Sequence, residues 1–560
     1  MKKLPYGISN YEELITQNYY YVDKTKYIEQ LENIAEKSII FLRPRKFGKT
    51  LFTSTIQYYY DINEKNKFEK LFGETYIGKN PTQLKNSYHI LRFNFAGIDT
   101  SNEENTIKGF KSKIIASIEW FIARYRIDFY INKDDEAENI LNNLFIAFGT
   151  QKNGEKIYVI IDEYDRFANE LLGFQTENFK KLVSKNEKVR KWYEVLKEGT
   201  ESVVDRIFVT GVAPITLDSM TSGFNIGTDK TKDGIFNEML GFTKVELENM
   251  MSNIEISKEE QEKIFPVMKE NYDGYLFSLD ATTKIYNSTM CLYFLNQYLE
   301  YNKAPRSLVD VNIASDFSKL SNMLNLCKGE NKKQVLENTL TDKGIMTEIT
   351  SKFNPENEFG IKEMVSMLYY IGYLTIKEER IGMPVLKIPN MTMKEIYAEY
   401  FLKTIKDETN IEVDFNESNK ILEEIALEGK IDTLIEVTHR YLNNLSNRDY
   451  QRFEEKYVKL VIYCLAMNLK TYSVISEQEN NRTYQDLLLI PRDISKGYQS
   501  VLMELKYLKV DEKDKLKEKQ QEAKEQIKRY SELENIKNIE NLHKYAVVAV
   551  NDELYVEEIN

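Results

Sequence analysis

The sequence predicts an α/β protein of more than one domain, and three stretches carry that reading. Ser38-Ile39-Ile40-Phe41-Leu42 is a strand of buried type that runs into Arg43-Pro44-Arg45-Lys46-Phe47-Gly48-Lys49-Thr50 and then into a helical stretch from Leu51. Lys156-Ile157-Tyr158-Val159-Ile160-Ile161 is a second apolar run and ends in Asp162-Glu163. Near the carboxyl end, Tyr484–Ile490 and Ser500–Lys506 are two more runs of strand length, separated by Pro491 and Gly497, with one acid in each. A chain of 560 residues is too long for a single core, so two to four domains are expected.

In the first stretch, strand, loop and helix follow in the order that a phosphate-binding loop requires. Gly48 lets the backbone approach phosphates, Lys49 reaches the β- and γ-phosphates of a nucleotide, and the Thr50 hydroxyl binds its Mg²⁺, with Arg45 a further phosphate-facing candidate. One position departs from the G-x-x-x-x-G-K-[ST] pattern: Arg43 stands where the first glycine belongs. The second run delivers Asp162 to the Mg²⁺ shell and Glu163 to a water as general base. His89–Phe95 and Arg206–Val212 add two more strand candidates, the latter carrying Thr210. Four strands with helical stretches between them imply a parallel sheet with helices on both faces.

The middle carries less chemistry. Asn271 to Ser278 reads as a tight aromatic corner around Gly274, and Tyr286 to Tyr298 as an amphipathic helix. Met364, Leu368 and Ile371 recur at helical spacing, and Gly372 ends that helix before a Tyr373–Ile376 strand and a turn at Gly382. Helix then hairpin predicts a winged-helix-like module, read as a lid or packing element ahead of a DNA contact. Asp407 to Asn419 is acidic and polar, without apolar periodicity. The expected division is a nucleotide domain over 1–300, a helical or winged-helix-like region over 301–410, and a third domain over 411–560.

In the third domain the two late strands bring Asp486 and Glu504 together as hard oxygen ligands for Mg²⁺ or Mn²⁺. Lys506 shares a face with Glu504 because side chains alternate along a strand. A cation beside a metal-bound water orients it and steadies charge on a phosphate under attack. Upstream, Phe453-Glu454-Glu455-Lys456-Tyr457 opens an apolar segment, Val458 to Met467, that reads as a buried helix. Asp511 to Lys528 reads as the solvated face of a long helix whose buried side holds Ala523, Ile527 and Tyr530, and Tyr545 to Val550 as a final strand.

The net charge of −12 argues against a protein that coats nucleic acid non-specifically, since that affinity comes from cations displacing counterions. It leaves room for a local basic groove. Cys291, Cys327 and Cys464 lie far apart without metal-ligand spacing and read as buried thiols of a reducing compartment. Neither a secretory leader nor an apolar run of membrane-spanning length is visible, so a cytoplasmic protein without membrane contacts is expected.

Taken in order, Leu4-Pro5-Tyr6-Gly7-Ile8-Ser9, Tyr20-Tyr21-Val22-Asp23-Lys24-Thr25, the Arg43–Thr50 loop and Ile161-Asp162-Glu163-Tyr164-Asp165 resemble the bacterial and archaeal AAA-ATPase-like family that carries a PD-(D/E)-x-K nuclease domain at its carboxyl end. Further matches are Val209-Thr210-Gly211-Val212, Tyr272-Asp273-Gly274-Tyr275, Ile371-Gly372-Tyr373-Leu374-Thr375 and Ile388-Pro389-Asn390, so the resemblance covers nearly the whole chain. It implies that Arg43 is a habit of the family loop, with Lys46 a mild departure, and that Thr210 stands where related ATPases sense a γ-phosphate. It implies that Asp486, Glu504 and Lys506 form a nuclease centre and that Gln526-Ile527-Lys528-Arg529-Tyr530 is a supporting Gln-x-x-x-Tyr helix, with Gln526 and Tyr530 on one face. A further metal-binding acid is implied near Glu454 or Glu455, with Glu455 favoured and Glu477 an accessory alternative. The residues Arg482-Thr483-Tyr484-Gln485 depart from the Gly-Arg-x-Asp approach of the family. The resemblance thus implies ATP and Mg²⁺ or Mn²⁺ as cofactors, nucleic acid, DNA ahead of RNA, as partner, room for a homo-oligomer, and a role in mobile-element control or defence. The alternative is a nucleotide-controlled binding or regulatory protein whose nuclease fold is silent.

Overall fold

A computed structural model of the chain describes residues 2–166, 187–214, 226–305, 307–310, 320–321, 323–324, 335–336, 338–340, 344–351, 353, 360–409, 415–446, 455–475, 479–480, 483–484, 486–493, 496–534 and 536–559. Cys327, Glu454, Glu477, Arg482 and Gln485 lie outside the described residues, as does the side chain of Glu455. Two compact units result, Met1–Lys332 with Ile345–Thr392, and Lys333–Gly344 with Met393–Asn560.

The first unit is built on strands β1 (Ser38–Leu42), β2 (Tyr88–Asn94), β3 (Lys156–Asp162), β4 (Val204–Gly211) and β5 (Thr228–Asp229), in the order β2-β3-β4-β1-β5 with every pairing parallel. The four strands expected from the sequence are all present, and β5 is an addition too short to show a period. Every residue of β1, and all of β3 but Lys156, is buried because helices cover both faces. On one face Phe41, Ile160 and Phe208 pack with Phe52, Ile56 and Tyr60 of the helix Lys49–Tyr60. On the other, Trp192 stands edge-on to Phe93 at 5.0 Å and to Phe110 at 5.6 Å. A parallel sheet puts all its carboxyl ends on one edge, so the loop after β1 and the end of β3 open on the same edge, on either side of β4.

The helix Ile361–Tyr370 and the antiparallel strands β6 (Ile345–Met346), β7 (Thr375–Arg380) and β8 (Met383–Lys387), ordered β6-β8-β7, belong to the same unit. The predicted Tyr373–Ile376 strand starts later and runs longer, because Gly372 holds φ +88° and Tyr373 and Leu374 still bond back to the helix at Leu368 O. The corner at Gly274 (φ +101°) is tight for a reason: a Cβ there would lie 2.2 Å from Pro389 O, and Asn390 Nδ2 donates to Asp273 O at 2.9 Å. The segments 272–275 and 388–390 are thus two sides of one contact.

The second unit centres on β9 (Tyr472–Ile475), the small ribbon β10 (Glu479–Asn480) with β11 (Thr483–Tyr484), and β12 (Leu487–Pro491), β13 (Ser500–Leu508), β14 (Leu542–Val550) and β15 (Glu553–Glu558). The main sheet runs β15-β14-β13-β12-β9, with β13 and β14 parallel and the other pairs antiparallel. The expected strand from Tyr484 is therefore broken: Tyr484 belongs to β11, and β12 begins at Leu487, just after Asp486. The chain also ends in β15, not β14. That edge strand flanks Leu554, Tyr555 and Val556 with Glu553, Glu557 and Glu558, and none of the six is buried, a polar pattern that hides a strand from an apolar-run search. The helix Leu516–Ser531 buries Ala523, Ile527 and Tyr530 against Leu488, Leu502 and Ala546. Among the described residues no helix is long and apolar enough to cross a membrane.

Candidate functional site

Two sites emerge, one in each unit. In the first, Gly48 (φ +95°) takes the left-handed conformation that caps the helix Lys49–Tyr60 and leaves its first N–H groups pointing into a cavity of about 580 Å³. Arg45, Gly48, Lys49, Thr50 and Glu163 line it, together with Arg166. The loop is pinned from outside: Ser288 Oγ and Thr289 Oγ1 both donate to Lys46 O at 3.0 Å, and Gly241 N to Phe47 O at 2.9 Å.

Lys49 Nζ donates to Arg43 O and Pro44 O, both at 2.9 Å, so the ammonium is held across the mouth of its own loop. Burial pushes its pKa down to about 8, against the pull of Asp165, Asp162 and Glu163. Asp162 is fully buried; its Oδ2 meets Arg92 Nη2 at 3.2 Å and Thr53 Oγ1 at 3.4 Å, while Oδ1 has no hydrogen-bond partner among the described residues. Glu163 sits at φ +51°, a conformation that a non-glycine residue holds only under constraint, and its Oε2 lies 3.8 Å from Arg166 Nη1. An orphaned carboxylate oxygen and a hydroxyl at the start of the helix suit a hard cation beside nucleotide phosphates.

One residue stands elsewhere than the motif suggests. Arg43 is not a phosphate ligand: its guanidinium is 1% exposed, donates to Leu42 O, Thr231 O and Phe236 O at 2.9, 2.7 and 2.9 Å, and lies 4.2 Å from the rings of both Phe41 and Phe277. Thr210 lies near the end of β4; its hydroxyl donates to Phe41 O at 2.8 Å, and it is not among the residues that line the cavity. Asp165, quoted above only as part of a motif, instead accepts from Val212 N and Ala213 N and fixes the end of β4.

In the second unit β12 and β13 pair Leu487 with Met503 and Leu488 with Leu502, a register that puts Asp486 opposite Glu504. Asp486 Oδ2 accepts from Leu505 N at 2.8 Å, which ties the acid to β13. Glu504 is 2% exposed; Lys506 Nζ stands 3.0 Å from its Oε1, Tyr530 bonds to the carboxylate, and among the described residues its buried Oε2 lacks a well-aligned partner. Burial and the nearby Asp486 carboxylate push the Glu504 pKa up to about 8, with Lys506 opposing. From the helix Leu516–Ser531, Tyr530 faces the two acids, its phenol pushed up by burial and their charges, and Gln526 offers a buried amide oxygen without a partner. Glu455 opens the helix Glu455–Met467. One residue went unnoticed in the sequence: Lys459, on that helix, places Nζ 2.6 Å from Asp486 Oδ1. Its only signal was a lone charge in an apolar run.

Among the described residues no group of three His, Cys, Asp or Glu side chains converges. The Asp486–Glu504 pair still fits a hard divalent ion: its donors are oxygens, one of them has no cation against it among the described residues, and such ions keep several waters in place of protein ligands. Asp486, Glu504 and Lys506 converge, Tyr530 adjoins them with Gln526 one helical turn earlier, and Asp162, Lys49 and Thr50 sit around the other loop.

Residues 5–221 match the family model described as "Predicted AAA-ATPase", and residues 453–559 match that of the "PD-(D/E)XK nuclease superfamily". A curated protein of Azotobacter chroococcum mcd 1, described as an uncharacterized protein in vnfD 5'region, is 23% identical over 412 residues, covering 72% of this chain and 70% of its own length.

Proposed function

We propose that this chain, which joins an AAA-ATPase-like domain over residues 5–221 to a PD-(D/E)XK nuclease superfamily domain over residues 453–559, is a nucleotide-controlled nuclease. It binds and hydrolyses ATP at the first site and cleaves nucleic-acid phosphodiesters, DNA ahead of RNA, at the second. The observation that carries the reading is the opposed Asp486 and Glu504 with Lys506 at 3.0 Å and one carboxylate oxygen with no cation against it among the described residues.

At the first site Arg45, Lys49 and the Gly48 turn take the phosphates, Thr50 and Asp162 hold the Mg²⁺ of the nucleotide, and Glu163 accepts the proton of the attacking water. At the second, Asp486 and Glu504 hold Mg²⁺ or Mn²⁺, and Glu455 is the candidate for a third ligand. Such an ion, when bound, lowers the pKa of a water and offsets the charge on the phosphate. Lys506 orients the nucleophilic water; its oxygen bonds to phosphorus as the bridging ester P–O bond breaks and the leaving oxygen takes a proton. Tyr530 and Gln526 wall the site and hold substrate. Nucleotide state sets whether the nuclease engages, in a setting of mobile-element control or defence.

Incubation of the full chain with Mn²⁺ and linear, circular and single-stranded DNA or RNA, with and without ATP, tests this. Cutting that Glu504→Ala abolishes is expected. The second reading, a domain that binds and does not cut, is favoured by the grip of Lys459 on Asp486, and it predicts substrate retention without cutting under every condition.

A further inference from the structure

Lys459 is the only charged residue between Val458 and Met467, and its neighbours Val458, Leu460, Val461 and Ile462 are each 2% exposed or less. A lysine in such a helix gives up side-chain freedom to reach its partners. One of them is Asp486 Oδ1, at 2.6 Å. The carboxylate does not need the lysine for its orientation, because Leu505 N already fixes it through Oδ2 at 2.8 Å.

The four carboxylate oxygens of the pair are therefore unequal. Asp486 Oδ2 is held by backbone, Asp486 Oδ1 by Lys459 and Glu504 Oε1 by Lys506 at 3.0 Å; Tyr530 also bonds to the Glu504 carboxylate, whose Oε2 has no cation against it among the described residues. A divalent ion taking one oxygen from each acid finds Glu504 open and Asp486 closed. We propose that Lys459 is a tethered cation that occupies the metal-facing oxygen of Asp486, so that the divalent ion binds only by displacing it and Lys459 sets the metal concentration at which the site fills.

This inference rests on the reading of the second site as metal-dependent, and a binding measurement separates the two. Mn²⁺ is titrated calorimetrically into the nucleotide-free full chain, with Glu504→Ala identifying the heat that belongs to this site. Lys459→Met is expected to bind Mn²⁺ about fivefold tighter there, the scale of one ion pair, while Lys459→Arg, which keeps the charge, stays within about twofold of the parent. Mn²⁺ should also raise the melting temperature of Lys459→Met more than that of the parent. Should Lys459→Met perturb folding, Lys459→Gln supplies the same comparison. Unchanged or weaker Mn²⁺ affinity in the neutral variants overturns the inference alone. Absence of any Glu504-dependent Mn²⁺ binding in parent and variants overturns the metal reading along with it.

Discussion

Arg43→Gly restores the glycine of the usual phosphate-loop pattern, and it is expected to cost stability. The guanidinium makes three hydrogen bonds to buried carbonyls, each worth about 2 kcal/mol for a charged donor, and two ring contacts worth about 1 kcal/mol each. Against this stands the burial of its charge, which pushes its pKa down to about 10 and is relieved on removal, about 3 kcal/mol. The remainder is about 5 kcal/mol of destabilisation, to which the freedom of glycine in the unfolded chain adds about 0.5. For a unit of this size that lowers the melting temperature by about 10 °C at roughly 2 °C per kcal/mol, read by scanning calorimetry. Arg43→Met keeps part of the packing between Phe41 and Phe277 and should lose less. An Arg43→Gly protein that melts with the parent, or binds nucleotide more tightly, would refute the view of Arg43 as a buried staple of the loop.

Gly274→Ala drives a Cβ to 2.2 Å from Pro389 O at a positive φ and should destabilise the first unit by about 3 kcal/mol, measured by denaturant unfolding. Nucleotide binding near pH 8 should take up a proton, because Lys49 titrates at about 8 when buried alone and a phosphate favours its charged form; calorimetric heats in buffers of different ionisation enthalpy give the count, which should vanish at pH 6 and in Lys49→Met. His89 is 3% exposed, lies 4.6 Å from the Tyr125 ring and 5.0 Å from that of Phe148, and burial lowers its pKa against the pull of Glu155. The unfolded chain then binds more protons below about pH 6.5, so this contribution to stability is lost as pH falls through that value, and His89→Phe should flatten the dependence between pH 5 and 7 in urea titrations.

Local pattern was enough for the parts that repeat along the chain. The strand, loop and helix around Gly48 and Lys49, the run that ends in Asp162, and the alternation that sets Glu504 and Lys506 on one face all follow from periodicity and one glycine. The burial of Ala523, Ile527 and Tyr530 was legible in the same way, from spacing along a charged helix.

What the linear order could not decide was which polar groups meet across distant segments. Arg43 reads as a defect in a motif until Thr231 O and Phe236 O, some 190 residues away in sequence, are seen to surround it. Nothing in the order of residues shows that the Thr210 hydroxyl bonds to Phe41 O, and Lys459 reads as nothing until Asp486 arrives from another element. Periodicity reports which face of an element avoids water, a property of each segment alone. The partner of a buried charge depends on which strands lie side by side, and only the folded chain settles that.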